Sequence, residues 1–301
     1  MFRKFCLVSL FFLLAAHAVS AQEEILKEKI ARIVAPMKAE VGVSVLGIED
    51  GKALSVNGEN KFPMQSVFKF PIALAVLSEV DKGRFALDQE MDIGKSDLLP
   101  NTWSPIREKY PDGNIKMSLA EVLKYTVSQS DNNGCDILLG LIGGPEVVND
   151  YIHGLGIKDF SVQFNEQEMH QDWNIQFSNW ATPVAVTELL RIFYERKNMS
   201  LKSFDFLWGV MMETKTGPNR IKGQLPPGTP VAHKTGTSDT NKEGVTAAVN
   251  DVGIITLPDG KHVAIAVFVA NSREDSATNE KIIADISRAV WDDFEGQGGR
   301  Q

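Results

Sequence analysis

Ser66-Val67-Phe68-Lys69-Phe70-Pro71-Ile72-Ala73-Leu74-Ala75-Val76-Leu77-Ser78-Glu79-Val80-Asp81-Lys82-Gly83 is the stretch on which the fold turns. Its apolar residues recur at helical spacing, and Gly83 supplies a stop. Before it the pattern is different. Residues 41–57, VGVSVLGIEDGKALSVN, read as two β-type runs joined at Asp50-Gly51, a strong hairpin signal. A helix over Glu23 to Ala35 precedes them. After Gly83 the chain stays helical, with helices expected over Ser118–Gln129, Asp136–Leu141, Pro145–Leu155, Pro183–Arg196 and Leu201–Glu213. Ser118 and Glu121 are spaced as a capping box.

Strands return near the end as VAHKTGT (231–237), VNDVGIITL (249–257) and HVAIAVFVAN (262–271), the last two joined by the turn Pro258-Asp259-Gly260. A closing amphipathic helix spans Thr278 to Phe294, and the Gly-rich tail from Glu295 is expected to be unstructured. Strands at both ends with helices between imply an α/β fold of two lobes. Residues 22–62 and 214–301 would build an antiparallel sheet flanked by terminal helices. Residues 63–213 would form an inserted all-α lobe, with a small-molecule cleft between the lobes.

Composition narrows the function. Met1 to Ala21 has a basic start (Arg3, Lys4), an apolar run and small residues at Val19-Ser20-Ala21, the pattern of a cleavable signal peptide. Export to the periplasm as a monomer without a membrane anchor is the expectation. The formal net charge is -8, which argues against nucleic acid and anionic membranes as partners. Removing Cys6 with the signal leaves Cys135 alone, so no internal disulfide can form, and its apolar surroundings suit a buried thiol.

Three short motifs follow in order: Ser66-Val67-Phe68-Lys69, Ser130-Asp131-Asn132 and Lys234-Thr235-Gly236. Taken singly the first says little, since Ser66 could cap a helix and Lys69 could be solvated. At i+3, however, Lys69 shares a helix face with Ser66 and can reach its hydroxyl. Together the three motifs resemble the signature of class A serine β-lactamases and penicillin-binding proteins, and the resemblance extends through Met212-Glu213-Thr214-Lys215-Thr216-Gly217-Pro218-Asn219-Arg220 to the closing strands.

That resemblance implies β-lactam antibiotics as substrates, no cofactor, no metal, and a division of labour. Ser66 would attack the lactam carbonyl and Lys69 would help move its proton. Ser130 would relay a proton to the leaving nitrogen, held by Lys234. The N–H groups of Ser66 and Thr237 would form the oxyanion hole. Asn132 would hold the substrate's acylamide carbonyl; Lys234, Thr235, Gly236 and Thr237 would form the strand that meets its carboxylate. Arg220 could reach the same carboxylate or be a surface charge. Trp103 could wall the cleft or be a core residue. Glu166 would activate the deacylating water, with Glu168 as its local rival.

The loop around Glu166 departs from the commonest class A pattern. His170 replaces an asparagine that helps hold water. Phe164 and Asn179 replace an arginine–aspartate pair, so the usual loop-closing ion pair is absent. These changes and the segment Asn179-Trp180-Ala181-Thr182-Pro183 resemble the PER and VEB extended-spectrum subgroup and Bacteroides-type relatives, which implies activity reaching to cephalosporins. A D,D-peptidase or a non-hydrolytic β-lactam sensor would share the three motifs but leave Glu166 without a task. A Ser-His-Asp hydrolase lacks its G-x-S-x-G elbow, and no paired-histidine spacing supports zinc. His233, one residue before Lys234 on an alternating strand, should point away from the cleft.

Overall fold

A computed structural model describes residues 23–298; the expected signal peptide lies outside them. Strands β1 (Glu40–Gly47), β2 (Ala53–Val56), β3 (Phe62–Pro63), β4 (Glu90–Ile93), β5 (Ile115–Ser118), β6 (Phe160–Ser161), β7 (Trp180–Ala181), β8 (Val231–Thr237), β9 (Thr246–Thr256) and β10 (His262–Ser272) alternate with helices. The helices are α1 (23–34), α2 (Lys69–Asp81), α3 (Pro105–Lys109), α4 (Leu119–Ser128), α5 (Asn132–Ile142), α6 (Pro145–Gly154), α7 (Glu166–Met169), α8 (Pro183–Tyr194), α9 (Leu201–Met212) and α10 (Ser276–Gly298).

The main sheet is antiparallel, in the order β2-β1-β10-β9-β8, so both ends of the chain build it. Strand β10 shows why the sheet is buried on both faces. Val263, Ile265, Val267 and Val269 pack with Leu26, Ile30, Ile283, Ile286 and Val290 of α1 and α10. The alternate residues Ala264, Ala266, Phe268 and Ala270 join the larger core formed with α2, α4, α5, α8 and α9. The two-residue period of a strand separates the two sets. Helix α2 runs through the centre of the helical lobe, buried from Lys69 to Glu79.

Several expected boundaries move for local reasons. The first hairpin forms, with Leu46 opposite Ala53 and Gly51 at φ +70°, but its connection is longer than two residues. Ser66 does not cap a helix: it sits in a 3-10 turn, Gln65–Phe68, that leads directly into α2. Helix α5 begins four residues earlier than its periodicity suggests, because the Asp131 carboxylate accepts the Gly134 N–H as its cap. The closing helix continues to Gly298, so residues 295–298 are helical where no structure was expected. The Ser118–Glu121 capping box and the cap by Thr182 of α8 form as their residue types dictate.

Candidate active site

The three motifs converge on one cleft. Lys69, fully buried at the start of α2, is the hub. Its Nζ lies 2.9 Å from Ser66 Oγ, 2.9 Å from the Ser130 carbonyl, 2.5 Å from Asn132 Oδ1 and 2.8 Å from Glu166 Oε1. An ammonium has three protons for these four oxygens, so the hydrogen bond to Ser66 competes with the one to Glu166. Ser66 Oγ is also 3.4 Å from Glu166 Oε1, which gives the hydroxyl proton its acceptor.

Two backbone conformations aim these groups. Gln65, just before Ser66, has φ +47°, and Ser130 has φ +60°. Both lie in the left-handed region, where non-glycine residues cost energy and cluster at functional sites. Asp131 secures the second motif: its carboxylate accepts Ser104 Oγ, the Ile106 N–H and the Gly134 N–H. Burial pushes its pKa above the usual carboxylate value, against those hydrogen bonds.

Ser130 Oγ accepts from Lys234 Nζ at 2.9 Å, and Lys234 also donates to the Thr235 carbonyl. Burial pushes the Lys234 ammonium well below the usual lysine range, and the Lys69 charge pushes the same way. Strand β8 passes close to the turn that carries Ser66, and Gly236 permits it: a Cβ there would sit 2.4 Å from the Met64 carbonyl. Asn250 of β9 ties the same turn to the sheet by donating to the Pro63 and Met64 carbonyls.

Arg220 is buried, not a surface charge. Its guanidinium donates to Thr237 Oγ1 at 2.8 Å and to the Gly236 and Asn250 carbonyls, and its Nε faces Glu280. Thr235 and Thr216 share a hydroxyl hydrogen bond on the cleft wall. Trp103 is 55% exposed and stands at the rim, anchored by its Nε1 on the Gln129 carbonyl; it is no core residue. Asn132 Nδ2 donates to Thr102 Oγ1.

Glu166 sits in the one-turn helix α7, where the sequence suggests only a loop. Glu168 is spent on that helix: it exchanges cap hydrogen bonds with Asn165. The helix is held from below by Asp136, whose two oxygens accept the N–H groups of Glu166 and Gln167 at 2.8 and 3.0 Å. Burial, the largest influence, raises the Asp136 pKa to about 6, with the two N–H bonds opposing it. Where an ion pair is missing, the fully buried Asn179 amide closes the loop. Its Oδ1 accepts the Gln163 and Phe164 N–H groups; its Nδ2 donates to the Phe164 carbonyl and Met169 Sδ. His170 Nδ1 donates to the Glu166 carbonyl at 2.8 Å, so this ring bonds the backbone of Glu166.

The cleft measures about 830 Å³ and is lined by Ser66, Trp103, Ser130, Glu166, Arg220 and Thr237, among others. A volume of this order suits a drug-sized molecule. Among the described residues, no group of three or more His, Cys, Asp or Glu side chains is placed to hold a metal ion.

The model of the β-lactamase enzyme family matches residues 24–294. The chain belongs to that family. The β-lactamase VEB-1 of Pseudomonas aeruginosa is 50% identical over 95% of either chain. The extended-spectrum β-lactamase PER-1 of the same species is 46% identical over 92% of this chain and 90% of its own. Among solved structures, the TLA-1 extended-spectrum β-lactamase is 54% identical with a TM-score of 0.89, covering 90% of this chain and 99% of that one. A class A β-lactamase from Bacteroides cellulosilyticus is 44% identical, also at 0.89, covering 91% and 99%. This β-lactamase is therefore of the class A type, and the expected resemblance to the PER and VEB subgroup holds.

The motif residues are those the sequence singled out. Asp136 and Asn250 were not. Neither belongs to a short motif, and their roles depend on which backbone groups the fold brings against them.

Proposed function

We propose that this β-lactamase opens the lactam amide of penicillins and cephalosporins through a Ser66 acyl-enzyme and releases it with water activated by Glu166. Ser66 Oγ bonds to the lactam carbonyl carbon while its proton passes to the Lys69–Glu166 pair. The tetrahedral oxyanion is held by the N–H groups of Ser66 and Thr237. Collapse breaks the C–N bond, and the nitrogen takes a proton through Ser130, whose hydroxyl Lys234 orients. Glu166 then removes a proton from water, hydroxide attacks the ester, and Ser66 Oγ leaves reprotonated.

The observation that carries this reading is Glu166 Oε1, within 2.8 Å of Lys69 Nζ and 3.4 Å of Ser66 Oγ. A protein that merely traps β-lactams has no use for a base so close to its ester. Asn132 would hold the acylamide carbonyl. Lys234, Thr235 and Thr237, backed by Arg220, would hold the carboxylate, Gly236 lets their strand approach Ser66, and Trp103 would wall the rim. His170, with Nδ1 committed, offers Nε2 to water or substrate.

Substrate range is read as extended-spectrum, in keeping with the printed names of PER-1 and TLA-1 and with an amide in place of an ion pair across the loop. We read the chain as a monomer exported to the periplasm after loss of residues 1–21, with lobes dividing at 62/63 and 213/214. Among the described residues no helix is long and apolar enough to cross a membrane. Purified protein should hydrolyse benzylpenicillin and an oxyimino-cephalosporin, and Ser66→Ala should abolish both. Turnover surviving in Ser66→Ala would refute the nucleophile; an inert wild type towards the oxyimino-cephalosporin alone would refute the extended range.

A further inference from the structure

Behind strand β8, on the sheet face covered by α1 and α10, lies a carboxylate–imidazole pair sealed from water. Asp251 of β9 and His233 of β8 are both fully buried. His233 Nδ1 is 2.9 and 3.1 Å from the two Asp251 oxygens, and Asp251 Oδ2 also accepts the Ile221 N–H at 3.1 Å. His233 precedes Lys234 and Ile221 follows Arg220, so one carboxylate is bonded beside each cation of the proposed carboxylate site.

His233 Nε2 is buried and has no hydrogen-bond partner. A proton there would be an unsatisfied buried donor, which costs more than a bare ring nitrogen. Nδ1 therefore donates to Asp251, and Nε2 is the ring nitrogen left bare. Asp251 also acts on Lys222, in the 3-10 turn at 221–224 that Arg220 precedes, and on Lys234 through the sheet. At Lys234, burial and Lys69 disfavour the ammonium, while Glu166 and Asp251 support it and Arg220 weakly opposes it. At Lys222, burial lowers the pKa and Asp251 again opposes.

We propose that Asp251 is a positioning residue for both cations: Oδ2 fixes the turn that presents Arg220, and its buried charge keeps Lys234 protonated. This rests on the reading of Lys234 and Ser130 given above. Lys234 must remain an ammonium to orient Ser130 and to meet the substrate carboxylate, so its loss sets the alkaline limit of acylation.

The test compares wild type, Asp251→Asn and Asp251→Glu, following kcat and KM for a cephalosporin between pH 6 and 10. Asp251→Asn should move the alkaline limb of kcat/KM down by about one pH unit. It should raise KM about tenfold, the loss of one charge-assisted hydrogen bond, with kcat near pH 7 changed by less than about threefold. Asp251→Glu should restore the limb. A folded Asp251→Asn protein with the wild-type limb overturns the proposal. A second measurement needs no variant: long-range proton–nitrogen spectra of wild-type imidazoles should show His233 bearing Nδ1–H and a bare Nε2. An imidazolium at pH 7 overturns the proposal, because its charge would cancel that of Asp251. A wild type that fails to turn over any cephalosporin would instead refute the reading of the cleft, and the imidazole spectrum would still decide this one.

Discussion

Asp136 offers a quantitative test of how Glu166 is held. Its carboxylate bridges the N–H groups of Glu166 and Gln167, yet burial raises its pKa from 3.8 to about 6. The folded protein therefore binds a proton at this site that the unfolded chain has already released between about pH 4 and pH 6. Its contribution to stability is fully present below pH 4, falls as pH rises through 6, and is constant above. Two pKa units correspond to roughly 3 kcal/mol. Asp136→Asn cannot titrate and, like the protonated acid, accepts only one of the two N–H groups. The stability of the variant relative to wild type should thus rise by about 3 kcal/mol between pH 4 and pH 7. Urea unfolding of both proteins at several pH values, with equal m-values, reads this difference directly. A difference that stays flat across the window would refute the assignment of a raised pKa to this carboxylate. A difference that falls would reverse the sign.

Asn179→Ala should leave two N–H groups and one carbonyl of the loop without their partner. At about 1 kcal/mol each, amide exchange at Gln163 and Phe164 should speed by about a hundredfold in mass-spectrometric hydrogen exchange; unchanged rates would show that the amide does not close the loop. Gly236→Ala must push β8 away from the Met64 carbonyl, and misplacement of that order costs about a hundredfold in rate; wild-type kcat would contradict the close approach. Cys135 is buried, and burial raises its thiol pKa. Iodoacetamide should label it in urea and spare it in the native state, as intact-mass measurement can show; stoichiometric native labelling would be inconsistent with the packing of α5.

Much of this was legible in the sequence because it was local. The alternation of Val263, Ile265, Val267 and Val269 with Ala264, Ala266, Phe268 and Ala270 is visible as letters, an unbroken apolar run that suits a strand buried on both faces. Ser66, Lys69, Ser130 and Lys234 were singled out through short motifs whose spacing reflects helix and strand geometry, and Glu166 through what the family resemblance implies for its loop. Arg220 could be named but not placed, since nothing nearby says that β8 and β9 will surround its guanidinium. The cap by Asp131 was hidden because its motif was read for chemistry, so α5 was begun too late. The sequence showed that Phe164 and Asn179 remove the loop-closing ion pair, but not that Asn179 binds three backbone groups there. Asp136, Asn250 and Asp251 act on backbone or charge more than fifteen residues away, and residue type alone does not announce that.

The central claim is that Glu166 releases an ester formed on Ser66. Glu166→Ala incubated with a cephalosporin and analysed by intact-mass and peptide mass spectrometry tests it most directly. A covalent adduct on Ser66 that persists in the variant and is absent from wild type at steady state is the result predicted. Equal turnover by both proteins, or an adduct on another residue, would contradict it.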